Sequence, residues 1–164
     1  MTNEKKIKTM KKFLIACLFI IPFINGCNQQ TKATQRLDEN LVRVGIMVTD
    51  WPKSITSNTD FIVNTKIINV GDVTLPALGK EGYLLKIGVS YHWRLMDEKV
   101  VVWDGLVTPL KHDLKKDEEQ NIDIVVKTPS VPGNYILEID LLQNSAFWFG
   151  GAGSQTARIV INVK

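Results

Sequence analysis

Between Leu85 and Leu95 the chain alternates without a break. Leu85, Ile87, Val89, Tyr91, Trp93 and Leu95 occupy every second position, with Lys86, Gly88, Ser90, His92 and Arg94 between them. Successive side chains of a strand point to opposite faces, whereas a helix would spread these six apolar groups around its circumference. The run predicts a strand over residues 83–96 with one buried face. Such a face must be covered by a second layer, so this one segment commits the chain to a packed β architecture.

The same texture recurs along the chain. Residues 41–51 form one run, ended by Pro52, and 60–70 a second, closed by Gly71 and Asp72. After the turn Asp97-Glu98-Lys99, residues 100–103 return as a hairpin partner and stop at Asp104-Gly105. Residues 106–110 contain Pro109, which suits an edge. Residues 120–128 end at Pro129, residues 135–142 follow the turn Pro132-Gly133-Asn134, and 157–163 close the chain. Seven or eight short strands with turn signals every 8–15 residues, and no amphipathic helix, predict an all-β, immunoglobulin-like antiparallel β-sandwich. Trp93 is the expected core tryptophan. Tyr135, just after a turn, is placed as the tyrosine corner of such a sandwich, with Leu137 at the neighbouring core position.

The N-terminus is of a different kind. Lys11 and Lys12 precede twelve apolar residues, 13–24, too few to cross a bilayer, which takes about 20. Basic flank and short apolar core predict a secretory signal over residues 1–26. Ile24-Asn25-Gly26-Cys27 resembles the bacterial lipobox, in which an aliphatic residue and two small ones precede the lipidated cysteine. That resemblance implies acylation of Cys27 and export to the outer face of a bacterial membrane. Two or more acyl chains hold stably where one holds only marginally. Residues 27–40 then read as the lipidated cysteine and a flexible polar linker, and 41–164 as the sandwich domain.

Charge and cysteine usage narrow the function. The formal charge is +3, but residues 1–26 carry five lysines and one acid. The remainder holds 20 − 5 = 15 basic and 17 − 1 = 16 acidic groups, a net of −1, leaving no cationic surplus for nucleic acid. The two cysteines are Cys17, inside the signal, and Cys27. Residues 28–164 therefore cannot form a disulfide, a thiolate nucleophile or a cysteine metal site. No metal site and no cofactor is expected: only two histidines exist, and Asp113, Asp117, Glu118 and Glu119 do not match a calcium loop.

Five segments stand in order: Gly88-Val89-Ser90-Tyr91-His92-Trp93-Arg94, Val100-Val101-Val102-Trp103-Asp104-Gly105-Leu106, Thr108-Pro109-Leu110, Pro132-Gly133-Asn134-Tyr135 and Ala146-Phe147-Trp148-Phe149. Together they resemble an immunoglobulin-like accessory domain fused to bacterial glycosyltransferases and methyltransferases of surface-polysaccharide synthesis, over roughly residues 60–164. The resemblance implies a non-catalytic module working near glycans.

The residues offer a means of recognition. Sugar sites pair flat aromatic faces with polar groups. Trp103 and Asp104 end a hairpin, and Trp148 and Phe149 lie in a loop rich in glycine (Gly150, Gly151, Gly153). The aromatics could form a shallow stacking platform, with Asp104, His92 or Arg94 adding polar contacts. Glu138 and Asp140 read instead as polar positions of a half-exposed strand, and the glycines as backbone freedom. No catalytic motif is present, so no catalytic residue is assigned and the expectation is a non-enzyme. The leading expectation is an envelope lipoprotein acting as a binding or assembly module for glycans. The alternative is a protein-interaction or inhibitor-type module without sugar affinity, using the loops at 52–59, 75–82 and 147–155.

Overall fold

The structure, a computed structural model, describes residues 36–77 and 86–164. The signal, Cys27, most of the linker and the start of the long alternating run lie outside the described residues. Among the described residues ten strands follow one another: β1 (Val44–Asp50), β2 (Ser54–Ile55), β3 (Asp60–Asn69), β4 (Ile87–Leu95), β5 (Val100–Val102), β6 (Thr108–Pro109), β7 (Glu119–Lys127), β8 (Gly133–Gln143), β9 (Phe147–Trp148) and β10 (Ala157–Val163). The surplus over the expected seven or eight consists of two-residue pieces.

Two sheets result. One has the order β1-β3-β7. The other runs β2-β10-β8-β4-β5, with β6 also paired to β4 and β9 to β8. All pairings are antiparallel except that of β2 with β10. With one core between the two sheets, this is an immunoglobulin-like β-sandwich.

Period two explains the core. In β3 and β7 the residues 61, 63, 65, 67 and 120, 122, 124, 126 are buried while their neighbours face outward. Opposite them, Ile87, Val89, Tyr91 and Trp93 of β4 and Leu137, Ile139 and Leu141 of β8 fill the other side. Lys127 at the end of β7 joins the layers: its N–H donates to the Tyr91 hydroxyl and its carbonyl accepts from Trp93 Nε1, each at 2.9 Å. Tyr135 is the expected corner, its hydroxyl donating to the Val131 carbonyl at 2.7 Å. Leu137 is fully buried beside it.

Two expectations need correcting. The first is that β4 has an open polar face. Ser90 and His92 are buried as well, so β4 is covered on both sides over most of its length. Trp103 and Trp148 close over His92, an arrangement that alternation within β4 cannot reveal. The second is the reading of Arg36 and Leu37 as flexible linker. Leu37 packs on the core, its N–H donates to Gln143 Oε1 at 2.9 Å, and Arg36 lies over the Phe147 ring. Leu41 N–H closes a turn onto the Asp38 carbonyl. Residues 36–41 are thus joined to the sandwich. Polar composition alone reads as linker there; the contacts of Leu37 and Arg36 are long-range.

Candidate functional site

Strand pairing assembles the site on the outer face of the larger sheet. His92 and Arg94 lie two apart on β4, and Glu138 and Asp140 two apart on β8. The register sets His92 opposite Glu138 and Ser90 opposite Asp140. All four therefore share the face turned away from the sandwich core.

Trp103, at the end of the β4–β5 hairpin, is 46% exposed. Its carbonyl takes His92 Nδ1–H, and its ring stacks on the imidazole with centroids 4.2 Å apart at 21°. Trp148, half-buried, is fixed by the pairing of β9 with β8 and meets the same imidazole from another side at 4.3 Å. The two indoles stand 6.0 Å apart at 67°. They make a corner with His92 wedged inside it, and the flat platform expected of them is absent. His92, 2% exposed, is the support of that corner. Phe149 is also corrected: it is fully buried, stacked on Phe147 at 5.3 Å, and belongs to the core.

Below the corner lies a charged network. Arg94 is ion-paired to Glu138, and its guanidinium sits 5.7 Å from the Trp103 ring centroid, within cation–π range. Glu138 also accepts the Thr156 hydroxyl at 2.9 Å. Burial pushes the Glu138 carboxyl up, but the hydrogen bonds from Arg94 and Thr156, with the charges of Arg94 and Arg158, outweigh it and hold the group below its ordinary value. A carboxylate depressed by folding contributes stability above its unfolded value, about 4.3, and loses it as pH falls through the folded value. The stability gap between wild type and Glu138→Gln is therefore expected to be widest at neutral pH and to close in acid. Urea melts at about pH 7 and pH 3 would check this.

Asp140 is 2% exposed. Its carboxylate accepts the Gly150 N–H at 3.0 Å to both oxygens and the Leu141 N–H at 2.7 Å, and lies 4.0 Å from His92 Nε2. This ties β8 to the loop carrying Trp148. Gly150 is required by close approach, since a Cβ there would sit 2.7 Å from Asp140 Oδ2. Of the three loop glycines only Gly153, at φ +90°, needs glycine's conformational freedom.

Trp148 separates two clefts. One, of about 300 Å³, is lined by His92, Arg94, Trp103, Glu138, Asp140 and Ser154 among others. The Ser154 hydroxyl is buried and has no hydrogen-bond partner among the described residues. Orphaned buried hydroxyls are uncommon in native proteins, and one lining a cleft is a ready contact for a ligand or water. The other cleft, of about 470 Å³, is lined by Asp104, Val107, Leu142, Gln143, Asn144 and Phe147 among others. No group of three or more metal-ligating side chains occurs among the described residues.

Trp103, Asp104, Trp148 and Arg94 thus come together around the two clefts, and the sequence reading missed Glu138, Asp140 and Ser154. A signal existed: Glu-x-Asp on one strand matches His-x-Arg on its neighbour. It becomes visible only once the β4–β8 register is known.

No protein-family model matches the chain, and no curated protein matches it. Among solved structures, a CARDB domain from Pyrococcus furiosus in complex with di-metal ions aligns at 14% identity and a TM-score of 0.43, over 75% of this chain and 87% of that one. A mutant β-glucosidase from Listeria innocua in complex with laminaribiose aligns at 9% identity and 0.44, over 75% of this chain and 16% of that one. A β-glucosidase from Erythrobacter marinus does so at 13% and 0.44, over 75% and 16%. The described chain is a β-sandwich module of the immunoglobulin-like class, by its own strand order and core.

Proposed function

We propose that the protein is a non-enzymatic lipoprotein of the bacterial cell envelope whose sandwich binds glycans, held at the outer face of a membrane through lipid on Cys27. The observation that carries the binding reading is the tryptophan corner. Two indoles, each with exposed surface, pack against His92, and the two clefts that meet at Trp148 both carry polar groups. Aromatic surface beside pre-positioned polar groups is what a sugar requires, because its ring presents C–H faces and its rim hydroxyls.

The non-enzymatic reading is supported by how the titratable groups are used. Glu138 is tied to Arg94 and Thr156, Asp140 to two backbone N–H groups, and His92 Nδ1 to the Trp103 carbonyl. General acid–base chemistry needs a group within reach of the substrate and free to exchange a proton. Each of these groups is engaged within the fold.

A bacterial surface-glycan array probed with the protein is expected to show selective binding. Trp148→Ala should weaken the strongest interaction by roughly tenfold or more. A flat array would end the glycan reading. For the anchor, Cys27→Ser is expected to abolish incorporation of labelled palmitate and to release the protein from membranes. Continued labelling of that variant would refute it.

One observation favours the alternative, a protein-interaction or inhibitor-type module. Met96, Val100, Val101, Trp103, Leu106 and Val107 are all exposed, and they cluster at the β5 edge of the larger sheet. A flat array together with a specific protein captured through this edge, and lost on Val101→Lys, would establish that reading instead.

A further inference from the structure

Building on the glycan reading, we infer that the ligand is an uncharged glycan chain lying across Trp148, with sugars on both sides of it, and that terminal single sugars and acidic glycans are poor ligands. Two observations carry this.

The first is the position of Trp148. It is the one residue that walls both the 300 Å³ and the 470 Å³ cleft. Each cleft alone lies at the small end of the range of ligand sites, roughly 300–1,000 Å³. Both are open at the surface around a ring whose position is set by β9 pairing with Leu142 and by the His92 contact. Each cleft carries polar groups beside the ring. On one side are the Ser154 hydroxyl and the Arg94–Glu138 pair, and on the other Asp104, Gln143 and Asn144. A single sugar fills one cleft and leaves the other wet. A chain fills both and uses Trp148 as a saddle.

The second is charge. The lining groups that carry charge are Arg94, Glu138 and Asp140 on one side and Asp104 on the other. Three carboxylates against one guanidinium give 1 − 3 = −2. Arg36, the cation over Phe147 at the rim, is paired with Glu39, and Arg158, near Glu138, with Glu98. Asp104 is exposed and takes part in none of the ion pairs among the described residues. An ionised carboxylate only accepts hydrogen bonds, and its two oxygens suit the adjacent hydroxyls of a neutral sugar. The same group repels a uronate or a phosphate.

The test uses the full chain in detergent micelles. The probes are sized oligosaccharides of one to eight residues from partial acid hydrolysis of a neutral bacterial surface polysaccharide, and the same ladder from one containing uronic acid. For the neutral ladder, affinity is expected to rise roughly tenfold or more between one and four residues, then level off. The acidic ladder should bind at least about tenfold more weakly at low salt, and Asp104→Asn should narrow that difference. Trp148→Ala should flatten the length dependence. A neutral monosaccharide binding as tightly as the tetrasaccharide, or an acidic ladder binding as tightly as the neutral one, overturns this inference and leaves the glycan reading standing. No binding by any member of either ladder overturns both.

Discussion

Trp93→Ala is expected to cost about 3–5 kcal/mol of unfolding free energy, enough to unfold a domain of ordinary stability under mild denaturant. Trp93 is fully buried at the centre of the sandwich, with Tyr91, Phe61 and Tyr135 around it at ring-centroid distances of 5.9–6.5 Å. The loss combines the transfer free energy of the largest core side chain with the cavity left in a region that β4, β7 and β8 hold rigidly. A second component can be separated. Trp93 Nε1 donates to the Lys127 carbonyl, and Lys127 N–H donates to Tyr91. Trp93→Phe keeps much of the apolar contact but orphans that carbonyl, and should cost about 1–3 kcal/mol. Urea melts with an unchanged slope would identify the effect as stability alone.

The second large effect belongs to the junction beneath the tryptophan corner. Asp140→Ala removes the acceptor of the Gly150 N–H in a buried setting and should cost about 2–4 kcal/mol. Gly150→Ala approaches the same junction from the other side. Its Cβ would stand 2.7 Å from Asp140 Oδ2 and 2.8 Å from Thr156 Cγ2, and one of them must shift. An overpacking cost of about 1–3 kcal/mol follows. Gly151→Ala is the control, because the nearest atom to its Cβ is the Trp148 carbonyl oxygen at an acceptable 3.4 Å. Both disruptive variants should also weaken glycan binding, since this junction orients Trp148. Gly151→Ala should leave stability nearly unchanged.

The fold was legible because period two and turn residues are local signals. β7 and β10 lie within a residue of their expected limits, Tyr135 makes its corner bond, and Pro109 sits in an edge piece. The site was only half legible, for a physical reason. Exposed aromatics beside glycines can be noticed in sequence, and Trp103 and Trp148 were. Whether a polar strand face is open or covered depends on which loop folds over it, and that is a long-range fact. Hence His92 and Phe149, read as surface groups from sequence, are buried, whereas Glu138 and Asp140, read as polar positions of a half-exposed strand, form a half-buried and a buried part of the site's underside. The same dependence hid the docking of Leu37, whose partner Gln143 lies 106 positions away.

The most direct measurement is a titration of the isotopically labelled protein with the strongest glycan from the array, followed by amide and indole N–H correlation spectra. The indole signals of Trp103 and Trp148 should move, with the backbone signals of Asp104, Gly105, Gly150 and Gly151. The outer face of the smaller sheet, around Met47, Ile62 and Val125, should stay silent. Indole signals that do not move while the glycan binds, or shifts confined to that smaller sheet, would contradict a binding site at the tryptophan corner.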